Sequence, residues 1–242
     1  MQKQLESKGD PDSLRLKRYL AMPDLSRTTG SPINEVVQRI LALDEFRDFT
    51  VVQVPEIVPA DVIFDLFDFP EDHPARNPSD TYFVTTDAIL RTHTTVSWYY
   101  YLMAEQAKAK IEKNEPMGVL TYGKVYRKDE IDRHHMNVFH QMDGYYLSPK
   151  ERKIITIDDL KDILVKIAQA VFGKQVKYRF NEDAFPYTHP SLEMEIERGG
   201  KWVEVLGCGV VKGSVLEKLG VDSSNYTGWA FGFGLERLAI LS

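Results

Sequence analysis

The chain has 242 residues, 43% of them hydrophobic and 27% charged, which is enough apolar material for one large domain with a full core and excludes bulk disorder. A formal net charge of −6 excludes a strong overall attraction to nucleic acid, so any RNA contact must be local. The single cysteine, Cys208, excludes an internal disulfide and cysteine-rich zinc sites and fits a reducing cytoplasm; with a polar, mixed-charge start and no apolar run of membrane-spanning length, a soluble protein without a secretory signal is expected.

Residues 1–22 read as a polar lead-in, frayed over the first twelve or so around Gly9-Asp10-Pro11. Gly30-Ser31-Pro32 then announces a helix. Ser31 can cap it, and Pro32 suits the first helical position, where a missing N–H costs nothing. Ile33, Val36, Val37, Ile40 and Leu41 follow at helical spacing, so one face is buried in this chain or against a partner. Thr50 to Val54 reads as a strand, and Glu71 to Pro78 as a long polar loop of the kind that tends to carry function. A short strand is expected at Thr81 to Val84, and a helical pattern from Thr92 to Lys113.

The region from Val119 to Leu147 reads as a β-hairpin. Arg127 and Asp129 share parity on its first strand, and Phe139, Gln141 and Asp143 share parity on its second, so each set can line one face. A guanidinium fork can grip a phosphate with two parallel bonds, and Phe139 can stack on a purine. Each residue also has an ordinary use, Arg127 as a solvated charge beside Lys124 and Lys128, Phe139 as core. His134, His135 and His140 match no common zinc spacing and serve better as phosphate contacts.

Leu160 to Val171 forms the clearest amphipathic pattern, entered through Asp158-Asp159 and stopped near Gly173. Val176 to Phe180, Glu193 to Glu197 and Trp202 to Leu206 alternate with period two, as strands of one antiparallel sheet would. Between them, Phe185 and Tyr187 are set by flanking prolines and can present two rings to one pocket. The chain closes on Gly232-Phe233-Gly234 running into Glu236-Arg237, a strand-to-helix junction where Arg237 can lie over a base. This turn has neither Rossmann nor P-loop spacing.

In order, the proline-started helix, the hairpin arginine and the Gly-x-Gly-x-Glu-Arg junction resemble motifs 1, 2 and 3 of class II aminoacyl-tRNA synthetases. Asp72-His73-Pro74-Ala75-Arg76, Leu90-Arg91-Thr92-His93-Thr94, Phe139-His140-Gln141, Phe185 to Ser191 and Trp202 to Gly209 are similar to the catalytic domain of phenylalanyl-tRNA synthetases. The resemblance covers residues 23–242 and implies an α+β fold, an antiparallel sheet flanked by helices, with motif 1 near 31–54, motif 2 near 119–147 and motif 3 near 228–242. It also implies activation of phenylalanine with ATP and Mg²⁺ and transfer to tRNA(Phe).

Carried over residue by residue, it gives Arg127, His135 and Arg237 catalytic roles. Asp129, Phe139 and Glu204 join them around ATP, with Glu204 holding the metal. His93, Thr95, Gln141 and Asp143 would surround the ammonium group, Phe185 and Tyr187 would meet the ring, and Ala230 would floor its pocket. Asp129 and Asp143 depart from the usual Glu, and Tyr187 and His189 from the usual Phe and Glu of bacterial members. Absence of the N-terminal coiled coil and of an anticodon-binding domain gives the expectation of a catalytic core. An exposed apolar stripe on the motif 1 helix would imply a homodimer or a β-type partner, and the hairpin tip, Lys128 to His134, is the expected contact for a tRNA end. The competing function is a non-catalytic paralogue that senses an amino acid or binds a partner.

Overall fold

The computed structural model describes residues 2–128 and 136–242. In chain order the elements are α1 (Gln2–Glu6), α2 (Pro11–Ala21), α3 (Pro32–Leu41), β1 (Thr50–Val52), β2 (Ile57–Pro59), α4 (Ala60–Phe64), β3 (Ala88–Leu90), α5 (Ser97–Leu102) and α6 (Glu105–Glu112). There follow β4 (Met117–Tyr126), β5 (Val138–Pro149), α7 (Ile157–Phe172), β6 (Tyr178–Asp183), β7 (Thr188–Arg198), β8 (Lys201–Val211), α8 (Gly213–Lys218), β9 (Tyr226–Gly234) and α9 (Leu235–Leu241).

A seven-stranded sheet in the order β1-β4-β5-β9-β8-β7-β6 organises these elements. All its pairings are antiparallel except one: β1 runs parallel to β4, so the sheet expected to be antiparallel is mixed at that edge. Period-two alternation sends the side chains of β9 to opposite sides. Trp229, Phe231 and Phe233 enter the core shared with α3, α7 and α9, whereas Ala230 and Tyr226 pack with Trp98, Tyr145 and α8 on the other side. Apolar strands covered on both faces are what a three-layer arrangement requires.

Local signals explain most boundaries. Ser31 Oγ accepts from the Ile33 N–H, with Pro32 at the first position of α3. The cap of α7 is Thr156, one turn-start earlier than the expected Asp158-Asp159 entry; its hydroxyl and the Asp159 carboxylate each accept from the other's backbone N–H. Gly173, at φ 95°, ends that helix in a conformation few other residues adopt.

Four expectations are corrected. The lead-in is not frayed: residues 2–21 form α1 and α2, whose Leu5 and Leu16 are buried with Tyr82, Tyr126 and Val138. Thr81 to Val84 is not a strand but contributes one bridge, Phe83 to Ile89, on the edge of β3 away from β2. The Thr92 to Lys113 helix is broken at Met103-Ala104 into α5 and α6, after a turn of 3-10 helix at Thr94–Val96. The stripe of α3 (Ile33, Val36, Val37, Ile40) is buried in this chain's own core, so the exposed stripe on which self-association was to rest is not there. Among the described residues no helix is long and apolar enough to cross a membrane.

Candidate active site

The antiparallel register of β4, β5 and β9 creates the site. Gln141 lies opposite Gly123 on one side and Gly234 on the other, and Asp143 opposite Thr121 and Gly232. On the β9 side the flanking residues are glycines: Gly234 leaves open space beside Gln141, and the Asp143 carboxylate occupies the room a Cβ on Gly232 would fill. The resulting cavity, about 570 Å³, is lined by Arg127, Phe139, Gln141 and Asp143 from the hairpin, with His93 and Thr95 from the segment after β3. Phe185, Tyr187, Glu204, Ala230 and Arg237 complete the set that the sequence brings forward. Asp129 and His135, the other two expected ligands of ATP, lie outside the described residues, as does most of the hairpin tip expected to meet tRNA.

One end of the cavity is polar and closed. Asp143 Oδ2 accepts hydrogen bonds from Thr94 Oγ1 at 2.6 Å and Thr95 Oγ1 at 3.1 Å. Burial pushes its pKa up to about 6, against the opposing pull of the two threonine hydroxyls and of Arg127 and Arg91. Gln141 Oε1 is buried with no hydrogen-bond partner among the described residues. A carboxylate beside an unfilled amide oxygen is an acceptor pair for an ammonium group. His93 stacks with Phe69, ring centroids 6.0 Å apart, and meets Phe67 edge-on. Burial, then the nearby Arg127 charge, holds its pKa down at about 3, so the imidazole is neutral.

Beyond that end the walls are aromatic. Tyr187 is ringed by Phe67, Phe69, Trp98 and Phe185, with centroid separations of 5.8 to 6.5 Å. Burial raises the pKa of its hydroxyl, which lies near Thr95, so it remains protonated. Phe185 owes its place to Gly207, where a Cβ would come within 2.6 Å of the ring.

The open end carries the charges. The Arg127 guanidinium sits 5.3 Å from the centroid of the Phe139 ring, and its Nε donates to Thr92 O at 3.4 Å. Across the cavity, Arg237 Nη1 donates to Glu204 O at 3.0 Å and lies 3.8 Å from the Glu204 carboxylate, both side chains being about half exposed. Among the described residues no group of three or more His, Cys, Asp or Glu is arranged around a metal. Mg²⁺ does not need one, since it keeps most of its waters and is held through one or two carboxylates and substrate phosphates. Glu204, free on its solvent side, fits that role.

Several contributors went unforeseen. Glu236 takes hydrogen bonds from the backbone N–H of His140 at 2.9 and 3.0 Å and lies 2.7 Å from its Nδ1. His140 is thereby committed to structure, contrary to its expected use as a phosphate contact. Thr94 supports Asp143, and Phe69 and Trp98 shape the wall. Lys124, expected in a solvated charge run, is buried, its Nζ 2.8 and 2.7 Å from the carbonyls of Leu20 and Met22 and 3.2 Å from Glu56. A parity argument alone would have turned Lys124 and His140 away from the cavity; only their neighbours reveal what they do.

The family model of the tRNA synthetase class II core domain (F) matches residues 19–242. The chain belongs to that family. The alpha subunit of phenylalanine--tRNA ligase from Caldanaerobacter subterraneus subsp. tengcongensis is 37% identical over 222 residues, covering 87% of this chain and 62% of the relative. The corresponding subunits of Persephonella marina and Pelodictyon phaeoclathratiforme are 36% and 34% identical, with 70% and 67% of their lengths covered. The chain thus spans between about three fifths and seven tenths of the curated relatives it matches. Crystallised pyrrolysyl-tRNA synthetase from Desulfitobacterium hafniense has the same fold at 18% identity, with a TM-score of 0.64 over 95% of this chain and 74% of that one. The sheet and its flanking helices are the class II synthetase core fold.

Proposed function

We propose that the chain is the catalytic core of a phenylalanine--tRNA ligase, which joins L-phenylalanine to ATP as phenylalanyl-adenylate with release of pyrophosphate and passes the phenylalanyl group to the acceptor end of tRNA(Phe). The observation that carries this reading is the convergence in one cavity of an acceptor pair suited to an ammonium group, Gln141 and Asp143, an aromatic ring pocket, and an arginine suited to phosphate beside the partly exposed Phe139 ring.

In that reading the ammonium group sits between Asp143, Gln141 Oε1 and the Thr95 hydroxyl, beside the neutral His93. The phenyl ring lies among Phe185, Tyr187 and Ala230. The carboxylate oxygen attacks the α-phosphorus and the pyrophosphate oxygen leaves on the opposite side, so the new C–O–P bond replaces the P–O bond that breaks. Arg127 bridges the carboxylate and an α-phosphate oxygen and neutralises charge that grows in the transition state. Phe139 and Arg237 hold the adenine between a ring face and a guanidinium plane. Mg²⁺, when bound through Glu204, supplies further charge neutralisation on the phosphates. A carboxylate is already ionised at neutral pH, so the step depends on positioning and charge and calls for no general base.

Asp129 and His135 would add phosphate contacts, and the hairpin tip from Lys128 to His134 a contact for the tRNA end. The names of the relatives support a further β-type subunit as partner, and the absence of long apolar helices among the described residues is compatible with a cytoplasmic setting. Phenylalanine-dependent exchange of pyrophosphate into ATP tests the core claim. Arg127→Ala should lower the exchange rate by about a hundredfold or more, the usual effect of removing one charge-stabilising donor. Exchange no greater than that variant's would refute the reading.

A further inference from the structure

The two residues assigned to the adenine are each adjacent in sequence to one member of a polar pair, the buried His140 and the partly buried Glu236. Phe139 precedes His140 on β5, and Arg237 follows Glu236 in the first turn of α9. Glu236 reaches back across the turn to His140, where one carboxylate accepts from the main-chain N–H and from the ring at once. This grip is needed because α9 is only seven residues long and has no side-chain cap at Gly234. Helix α9 is otherwise held by the apolar contacts of Leu235 and Leu238.

The other ring nitrogen is also committed. His140 Nε2 accepts the Leu25 N–H at 3.0 Å, which fixes the tautomer, with the Nδ1 proton directed at Glu236. Leu25 belongs to the segment linking α2 to α3, and that segment is fastened to the back of the hairpin on both sides of it. Lys124, directly across the β4–β5 ladder from His140, grips the carbonyls of Leu20 and Met22. Downstream, Arg27 donates to Tyr122 O at 2.9 Å and covers the Tyr122 ring at 4.2 Å. A continuous line of hydrogen bonds therefore runs from the α2–α3 segment through His140 and Glu236 to the helix that carries Arg237.

We propose that His140 and Glu236 are positioning residues, which set the separation and tilt of Phe139 and Arg237 and reference that adenine clamp to the α2–α3 segment. The inference rests on the assignment of Phe139 and Arg237 to adenine given above. A fixed clamp holds both faces of the base in stacking contact, so loosening it should weaken ATP more than other parts of the substrate set.

Steady-state pyrophosphate exchange on His140→Ala, His140→Asn and Glu236→Gln is the test, with ATP, GTP and phenylalanine varied in turn. The expected result is a rise of about tenfold or more in KM for ATP, a preference for ATP over GTP left about as in the parent because stacking does not read the base edge, and a KM for phenylalanine within about twofold of the parent. Asparagine, whose amide can reproduce the Nδ1 donor, should restore most of the ATP affinity. Equal rises in both KM values, or no rescue by asparagine, would overturn the proposal. Should the alanine variant not fold, Glu236→Gln, which fills the same space, carries the test alone. Arg237→Ala separates the two claims: if it too leaves KM for ATP unmoved, the adenine assignment fails; if it raises KM while the His140 and Glu236 variants do not, only the positioning role fails.

Discussion

Gly232 and Asp143 face each other across β9 and β5, and a Cβ placed on Gly232 would stand 2.0 Å from Asp143 Oδ1. The glycine makes room for the carboxylate that closes the polar end of the cavity. Gly232→Ala should therefore turn Asp143 away from its threonine partners and raise KM for phenylalanine by about tenfold, equivalent to about 1.4 kcal/mol of binding. Fold stability should change little more than in Gly234→Ala, whose Cβ would meet nothing within 4 Å. Exchange kinetics alongside thermal melting of both variants would decide.

Asp143 also predicts a pH dependence. Its pKa of about 6 lies above the unfolded value of 3.8, so the native chain binds this proton more tightly than the unfolded one. The stabilisation it gives is full below 3.8 and is lost as pH rises through about 6. Substrate binding runs the other way, because the ammonium needs the ionised carboxylate. KM for phenylalanine should climb as pH falls below about 6, and Asp143→Asn should bind weakly with a flat profile over the same range. A parent enzyme with a flat profile would contradict the assignment.

Lys124→Met should destabilise the fold by about 3 kcal/mol, since it leaves Glu56 and the carbonyls of Leu20 and Met22 without their cation. The loss in the double variant with Glu56→Gln should be less than the sum of the two single losses, because the pair is shared. Urea unfolding midpoints measure both quantities.

Leu16→Ala should cost about 3 kcal/mol, as a buried leucine removed from a packed cluster does. A solvated lead-in would show no such loss. The same unfolding curves therefore test whether α1 and α2 belong to the cooperative core.

The face that lines the cavity was largely readable from the chain. Parity alone placed Phe139, Gln141 and Asp143 on one side of β5, because side chains in a strand alternate strictly, and the structure puts all three in one cavity. The capped start of α3 and the glycine stop of α7 were equally local, since a helix end needs only a few neighbouring residues to satisfy its free groups. Alternation and capping act within a few residues of sequence, so periodicity reports them.

Other features depend on partners far along the chain. The parallel β1 edge, the burial of α2 against Tyr82, and the break between α5 and α6 are set by packing between elements, and no local pattern encodes which distant surface an apolar residue will meet. Lys124 shows the limit most plainly: by composition it belongs to a solvated charge run, and only three carbonyls from the end of α2 and the following turn, about a hundred residues earlier, together with the Glu56 carboxylate, make its burial tolerable. His140 and Glu236 likewise lie 96 residues apart in sequence. The amino-acid sequence by itself determined the chemistry available to the site, the alternation that gathers it on one face, and the family. Tertiary structure alone decided which charges are buried and which carboxylate is spent holding α9, because those depend on desolvation and on donors supplied by distant segments.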